Sequence, residues 1–152
     1  MNDQGRQMPD RRCPYCLGAV KLYGNSRGFR TRYDVGPVWG CMRCVAWAKV
    51  DPRSGEPMTR ISDEHLRQAR AMFWHHVHPI VRRKAAWGAM EYRVAMAEVL
   101  DWISDRLPGR PKPLLIGFLD ADQIREAIAV ADQHPDAVIK AAPAEQTRND
   151  LP

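Results

Sequence analysis

No run of apolar residues in this chain is long enough to cross a bilayer. The longest, LLIGFL (Leu114 to Leu119), falls far short of the roughly 20 residues that a membrane-spanning helix needs. The opening stretch, MNDQGRQMPDRR, lacks the apolar segment of a secretory leader, so a soluble, cytoplasmic protein with no membrane partner is expected. Gly-rich phosphate loops are missing as well. No motif pairs a histidine with an activating carboxylate, and no serine stands beside a plausible base, so the chain does not read as an enzyme. Cysteine is scarce, with four in 152 residues, yet all four fall into two brackets of the same form: CPYC (Cys13 to Cys16) and CMRC (Cys41 to Cys44).

That usage is informative. In a reducing compartment four cysteines rarely persist as disulfides, and C-x-x-C in a chain that is not secreted points to metal or redox chemistry. Two such pairs separated by the 24 residues Leu17 to Gly40 supply a tetrahedral set of four thiolates, the pattern of a structural zinc ribbon. One Zn²⁺ held by Cys13, Cys16, Cys41 and Cys44 is the expected cofactor, with redox dithiols and an iron–sulfur centre as the alternatives. Pro14 and Gly18 suit tight knuckles whose N–H groups donate to sulfur. Between and after the knuckles, AVKLYG (19–24), FRTRYDV (29–35), PVW (37–39) and VAWAKV (45–50) read as short strands, with GNSRG as a turn. About 45 residues of short strands bury too little apolar surface to fold alone, so the metal is expected to supply folding free energy.

After DPRSGEP (51–57) the pattern turns helical. Ser62 is the expected N-cap of a first helix with Leu66, Ala69, Phe73 and Val77 inward, and His78-Pro79 is expected to end or kink it. A second helix over about 89–106 carries Tyr92, Met96, Val99 and Ile103, with Leu100 and Leu107 widening the stripe. LLIGFL reads as a buried strand or extended segment. Asp120 with Gln123 three residues on forms a capping box for a third helix, with Ile124, Ala127, Ile128 and Ala131 inward. The expected class is therefore α+β: a flexible arm (1–12), a four-cysteine zinc ribbon of short antiparallel strands (13–58) packed on a domain of about three helices (59–134), and a flexible tail (135–152).

The order of CPYC, YG, GPVWGCMRC, ISDEHLRQAR, HPI and IGFLD resembles that of the phage and prophage zinc-finger-containing domain family of unknown function, over about Cys13 to His134. The resemblance implies a phage-encoded, zinc-bearing accessory protein in the host cytoplasm, without an established activity. Where members of that family carry an aromatic strand leading to Gly-Cys-His, this chain has AWAKVDP, so no role of those extra side chains carries over.

Charge is uneven: residues 1–60 are net +6, residues 61–113 net +3 and residues 114–152 net −4. In the ribbon, Arg27, Arg30, Arg32, Arg43, Lys49 and Arg53 interleave with Tyr15, Tyr23, Phe29, Tyr33, Trp39 and Trp47, a combination used to grip phosphates and stack bases. On a strand, Arg30, Arg32 and Asp34 would share one face. Nucleic acid is the expected partner, and a host protein such as a defence nuclease or polymerase the alternative, with Trp39 and Trp47 expected to pack in the core. A homodimer formed through the helices is a further expectation. His75, His76 and His78 do not all converge on a helix, and no carboxylate adjoins them in sequence, so they read as helix-end residues rather than a second metal site.

Overall fold

Three short strands, β1 (Lys21–Tyr23), β2 (Val38–Cys41) and β3 (Ala46–Lys49), form an antiparallel sheet in the order β1-β2-β3 in a computed structural model that describes residues 12–109 and 112–137. The arm up to residue 11 and the tail from residue 138 lie outside the described residues. The register sets Lys21 against Gly40, Tyr23 against Val38, Trp39 against Ala48, and Cys41 against Ala46. Because side chains alternate between faces, Trp39, Cys41, Ala46 and Ala48 share one side and Tyr23, Val38 and Gly40 the other. The first side closes a small core of Cys13, Val20, Cys41, Ala46, Ala48 and Ile61, with Cys16, Trp39 and Cys44 packed against it. On the other side the buried Phe29 lies over Gly40 and meets Tyr23 edge to face, with ring centroids 5.1 Å apart. The outer edge of β3 is also occupied, because Trp47 and Ser62 exchange both backbone hydrogen bonds (3.0 and 3.1 Å).

One expected strand is not a strand. The segment from Phe29 to Val35 holds the end of a 3-10 turn (Arg27–Phe29), then Arg30 in left-handed backbone (φ 55°), then irregular chain. Local polar bonds outcompete the ladder here. Asp34 Oδ1 accepts from the N–H groups of Ser26 (3.1 Å) and Gly36 (2.9 Å), while the Oγ of the fully buried Ser26 accepts from Val35 N–H (2.9 Å). Ser26 N–H, followed by Gly36 N–H, holds the Asp34 carboxyl below its ordinary range. Arg30 and Arg32 therefore do not share a strand face.

The chain resolves into two compact units, Met1–Gln68 and Ala69–Pro152. The helices are α1 (Glu64–Gly88), α2 (Tyr92–Ser104) and α3 (Ala121–Asp132). Ser62 is spent on Trp47, and the cap of α1 is instead Asp63, whose Oδ1 accepts from Leu66 N–H at 2.8 Å. Helix α1 runs through Pro79 to Gly88 and does not end there, so VRRKAAW (81–87) is helical. The reason is facial: Phe73, Val77, Ile80 and Val81 are the buried residues, and Pro79 sits on the opposite side of the helix. The missing Pro79 N–H frees the His75 carbonyl on that outer side.

In the second unit Ala95, Val99, Ile103 and Ser104 are the buried residues of α2, while Tyr92 is exposed, so the stripe is rotated from the one expected. LLIGFL is no strand. It forms a 3-10 turn at Ile116–Phe118 that buries Leu114, Ile116 and Leu119. The capping box of α3 is formed in full, with Gln123 N–H to Asp120 Oδ1 at 2.8 Å and Asp120 N–H to Gln123 Oε1 at 2.9 Å, and Ile124, Ala127 and Ala131 are buried behind it. His134 is buried against Trp102 (ring centroids 4.6 Å apart), and burial holds its imidazole below its ordinary pKa. Among the described residues, no helix is long and apolar enough to cross a membrane.

Candidate metal centre

The two knuckles are built alike. Cys13 and Cys16 bracket a turn ahead of β1, whereas Cys41 ends β2 and Cys44 precedes β3. In each, the residue directly after the second cysteine is left-handed: Leu17 at φ 60° and Val45 at φ 51°. That backbone is uncommon for leucine and rarer still for a β-branched residue, so its repetition marks a geometric requirement of the turn. In the first knuckle Leu17 N–H donates to Cys13 O (2.9 Å) and Cys13 N–H to Gly18 O (2.7 Å). The Gly18 N–H then points at Cys16 Sγ (3.4 Å). A side chain at Gly18 would bring its Cβ within 3.2 Å of that sulfur, which explains the glycine.

These turns bring four sulfurs together. The Sγ atoms of Cys13, Cys16, Cys41 and Cys44 all lie within 4.8 Å of one another, and none is in a disulfide. Cys16 and Cys41 sulfurs are 3.6 Å apart. A tetrahedron with metal–sulfur arms of about 2.3 Å has edges of about 3.8 Å, so the spacing fits one four-coordinate ion and is far too long for a sulfur–sulfur bond. Two of the cysteines are buried and two half-buried.

Electrostatics point the same way. The Gly18 N–H, with the neighbouring thiols, lowers Cys16 to about 7. Burial, with the neighbouring sulfurs, pushes Cys44 up to about 12, and burial likewise raises Cys13. Four thiolates at these distances repel one another, and desolvation penalises each. A divalent cation removes both penalties, because ligation deprotonates a thiol outright.

Around this centre the basic side chains are all exposed. Arg27, Arg30 and Arg32 stand on the chain between β1 and β2, Arg43 within the second knuckle, Lys49 at the end of β3, and Arg53 in the turn that follows. Gly28 lies against Met42, since a Cβ built on Gly28 would be 3.0 Å from Met42 Cε. The Arg27–Arg32 segment therefore borders the knuckle that carries Arg43. Arg27 is partly neutralised, with its Nε 3.8 Å from Asp34 Oδ2. Of the aromatics, Tyr33 is 73 % exposed, whereas Phe29 is buried. Trp39 packs on the cysteine core and donates to Gly55 O at 2.9 Å, and Trp47 is covered by the Arg67 guanidinium 5.3 Å from its ring.

The histidines behave differently from the cysteines. Among the described residues the four cysteines are the one group placed to hold a metal ion, and His75, His76 and His78 form no second one. The fold does supply the carboxylate that the local sequence lacks: His76 Nδ1 lies 2.7 Å from Asp132 Oδ1 on α3. No signal near His76 announces a partner 56 residues away. The left-handed Leu17 and Val45 were equally silent in composition, although their matched position after each bracket was a cue.

In comparisons with known proteins, no family model, no curated protein and no solved structure matches this chain.

Proposed function

We propose that this chain is a zinc-ribbon accessory protein, of phage or prophage origin as its motif order implies, that binds nucleic acid through the basic surface of the ribbon. Zinc is the ion best matched to the site: it accepts four thiolates in a tetrahedron, needs no redox partner, and in such sites acts as structural glue. With all four positions taken by sulfur, the ion offers no open position for catalysis. Its part is to hold the knuckles, and through them the loops that carry the cations.

One observation carries the binding reading: the seating of Gly28 on Met42, which puts the Arg27–Arg32 segment next to Arg43, with the exposed Tyr33 ring directly after it. Clustered guanidinium groups displace counterions from a phosphate backbone, and an exposed ring adds base stacking. Arg30, Arg32 and Arg43 are the primary contacts, Lys49 and Arg53 extend the field, and Arg27 contributes less because Asp34 shares it.

Titration of metal-loaded protein against labelled single-stranded and duplex oligonucleotides at two salt concentrations tests this. Binding should weaken steeply with salt, the slope counting the phosphates neutralised. The double substitution Arg30→Glu, Arg32→Glu should weaken it by on the order of a hundredfold, as expected for two charge-assisted contacts made repulsive, with metal content unchanged. Unchanged affinity in that variant contradicts the reading. Absence of binding at low salt, with salt-insensitive capture of a host protein, replaces it by a docking role.

A further inference from the structure

The second unit contains a cleft that the ribbon chemistry does not use. It has a volume of about 600 Å³ and is lined by Trp74, His75, His76, Arg82, Arg83 and Asp132 among others. That size falls within the roughly 300–1,000 Å³ of small-ligand sites. On an α-helix, residues 75, 76, 79, 82 and 83 fall on one face, so α1 delivers two arginines and two imidazoles to the same wall. From these features we infer that the cleft binds a phosphomonoester on an aromatic body, either a free nucleotide or the phosphorylated end of a strand.

Three observations support the assignment. First, the lining is cationic without compensation. Asp132 is the one carboxylate among the lining residues, and it is engaged by His76 at 2.7 Å. Arg82 and Arg83 meet no carboxylate among the described residues, although Lys84 beside them pairs with Glu98 at 3.1 Å. Second, Arg83 Nε is shut off from solvent with no hydrogen-bond acceptor. With Nε enclosed by protein, it is the terminal guanidinium nitrogens of Arg83, which lines the cleft, that would meet an anion oxygen. Third, the imidazole of His76 is oriented. With Asp132 held at Nδ1, Nε2 is the ring nitrogen left to meet a second phosphate oxygen.

The rest of the wall suits the body of such a ligand. Trp74, stacked with His78 at 5.2 Å between ring centroids, adds an aromatic surface to the wall. A cation is the wrong ligand here, because only one carboxylate is present and no third metal-ligating group converges. The inference does not rest on the ribbon reading, since all the residues involved belong to the second unit.

The test is calorimetric titration of the full chain with inorganic phosphate, with a nucleoside 5′-monophosphate, and with short oligonucleotides bearing either a 5′-phosphate or a 5′-hydroxyl. It is repeated in the Arg30→Glu, Arg32→Glu background so that ribbon binding does not contribute. Saturable binding of the monophosphate, tighter than that of inorganic phosphate and weakened about tenfold or more by Arg83→Met, is the expected result. Preference for the free nucleotide or for the phosphorylated oligonucleotide identifies the source. Proton NMR of the wild-type histidines gives a readout independent of any variant: His76 should shift on titration while the buried His134 does not. No saturable binding of any phosphomonoester, or equal affinity in Arg83→Met with no shift at His76, overturns the proposal.

Discussion

Cys41→Ser is expected to lose the bound metal and unfold the ribbon while the second unit keeps its helices. Cys41 is 4 % exposed, ends the central strand, and contributes to the small core as well as to the sulfur cluster. Apart from sulfur, that core consists of Val20, Ala46, Ala48 and Ile61, with Trp39 alongside. Even with Phe29 and Val38 buried on the other side of the sheet, so small a set of apolar side chains stabilises the ribbon only weakly without the metal. Apparent metal-binding free energies of about 10–16 kcal/mol in zinc-finger peptides match or exceed the whole net stability of an ordinary domain, so loss of the ion is expected to unfold the ribbon. Limited proteolysis should therefore cut the variant throughout residues 12–68, and a strong chelator should reproduce the pattern in the wild type. The helical unit has its own core in Phe73, Val77, Val99, Ile103 and Ile124, so far-ultraviolet circular dichroism should retain most of its helical signal. A Cys41→Ser protein with native protease resistance in the ribbon would contradict the account.

Gly40→Ala should destabilise the ribbon by about 1–3 kcal/mol even with metal bound, as expected for overpacking a filled site. A methyl at this position would sit 2.4 Å from Phe29 Cζ and 2.5 Å from Cε1, with Ala46 O at 3.1 Å on the other flank. Phe29 is 1 % exposed and cannot swing aside, because its turn is tied by the Ser26–Asp34 hydrogen bonds. Phe29→Ala alone should cost about 3–5 kcal/mol by opening a cavity. In the double variant the methyl has space, so the two effects should fall short of additivity by about 1 kcal/mol or more in denaturant melts of the loaded protein. Full additivity would mean that Phe29 does not lie over Gly40.

Those two positions show what the sequence disclosed and what it withheld. Bracket spacing disclosed the sulfur cluster, because a C-x-x-C turn leaves its two thiols few other places to point, whereas the sheet order β1-β2-β3 emerged only from the fold. Asp120 and Gln123 disclosed the start of α3, since a capping box is complete within four residues. Local patterns misled where a local competitor was stronger. Alternation in FRTRYDV suggested a strand, but Asp34 and Ser26 gathered the backbone N–H groups that a strand would have offered to its neighbour. Ser62 looked like a cap until Trp47 claimed its backbone, and Asp63 took the position. Pro79 looked like a stop or a kink, yet α1 continues past it, with Pro79 on the face away from the buried residues. Tyr92 looked inward by spacing, but its hydroxyl bonds the His78 ring, and the ring stays outside. The meeting of His76 with Asp132 was beyond reach of any window, because it depends on how α3 returns to α1.

Elemental analysis of protein purified without added metal should find about one zinc per chain, with all four thiols protected from alkylation until a chelator is added. A folded, metal-free protein with four reactive thiols would contradict the claim that a zinc ion holds the ribbon together.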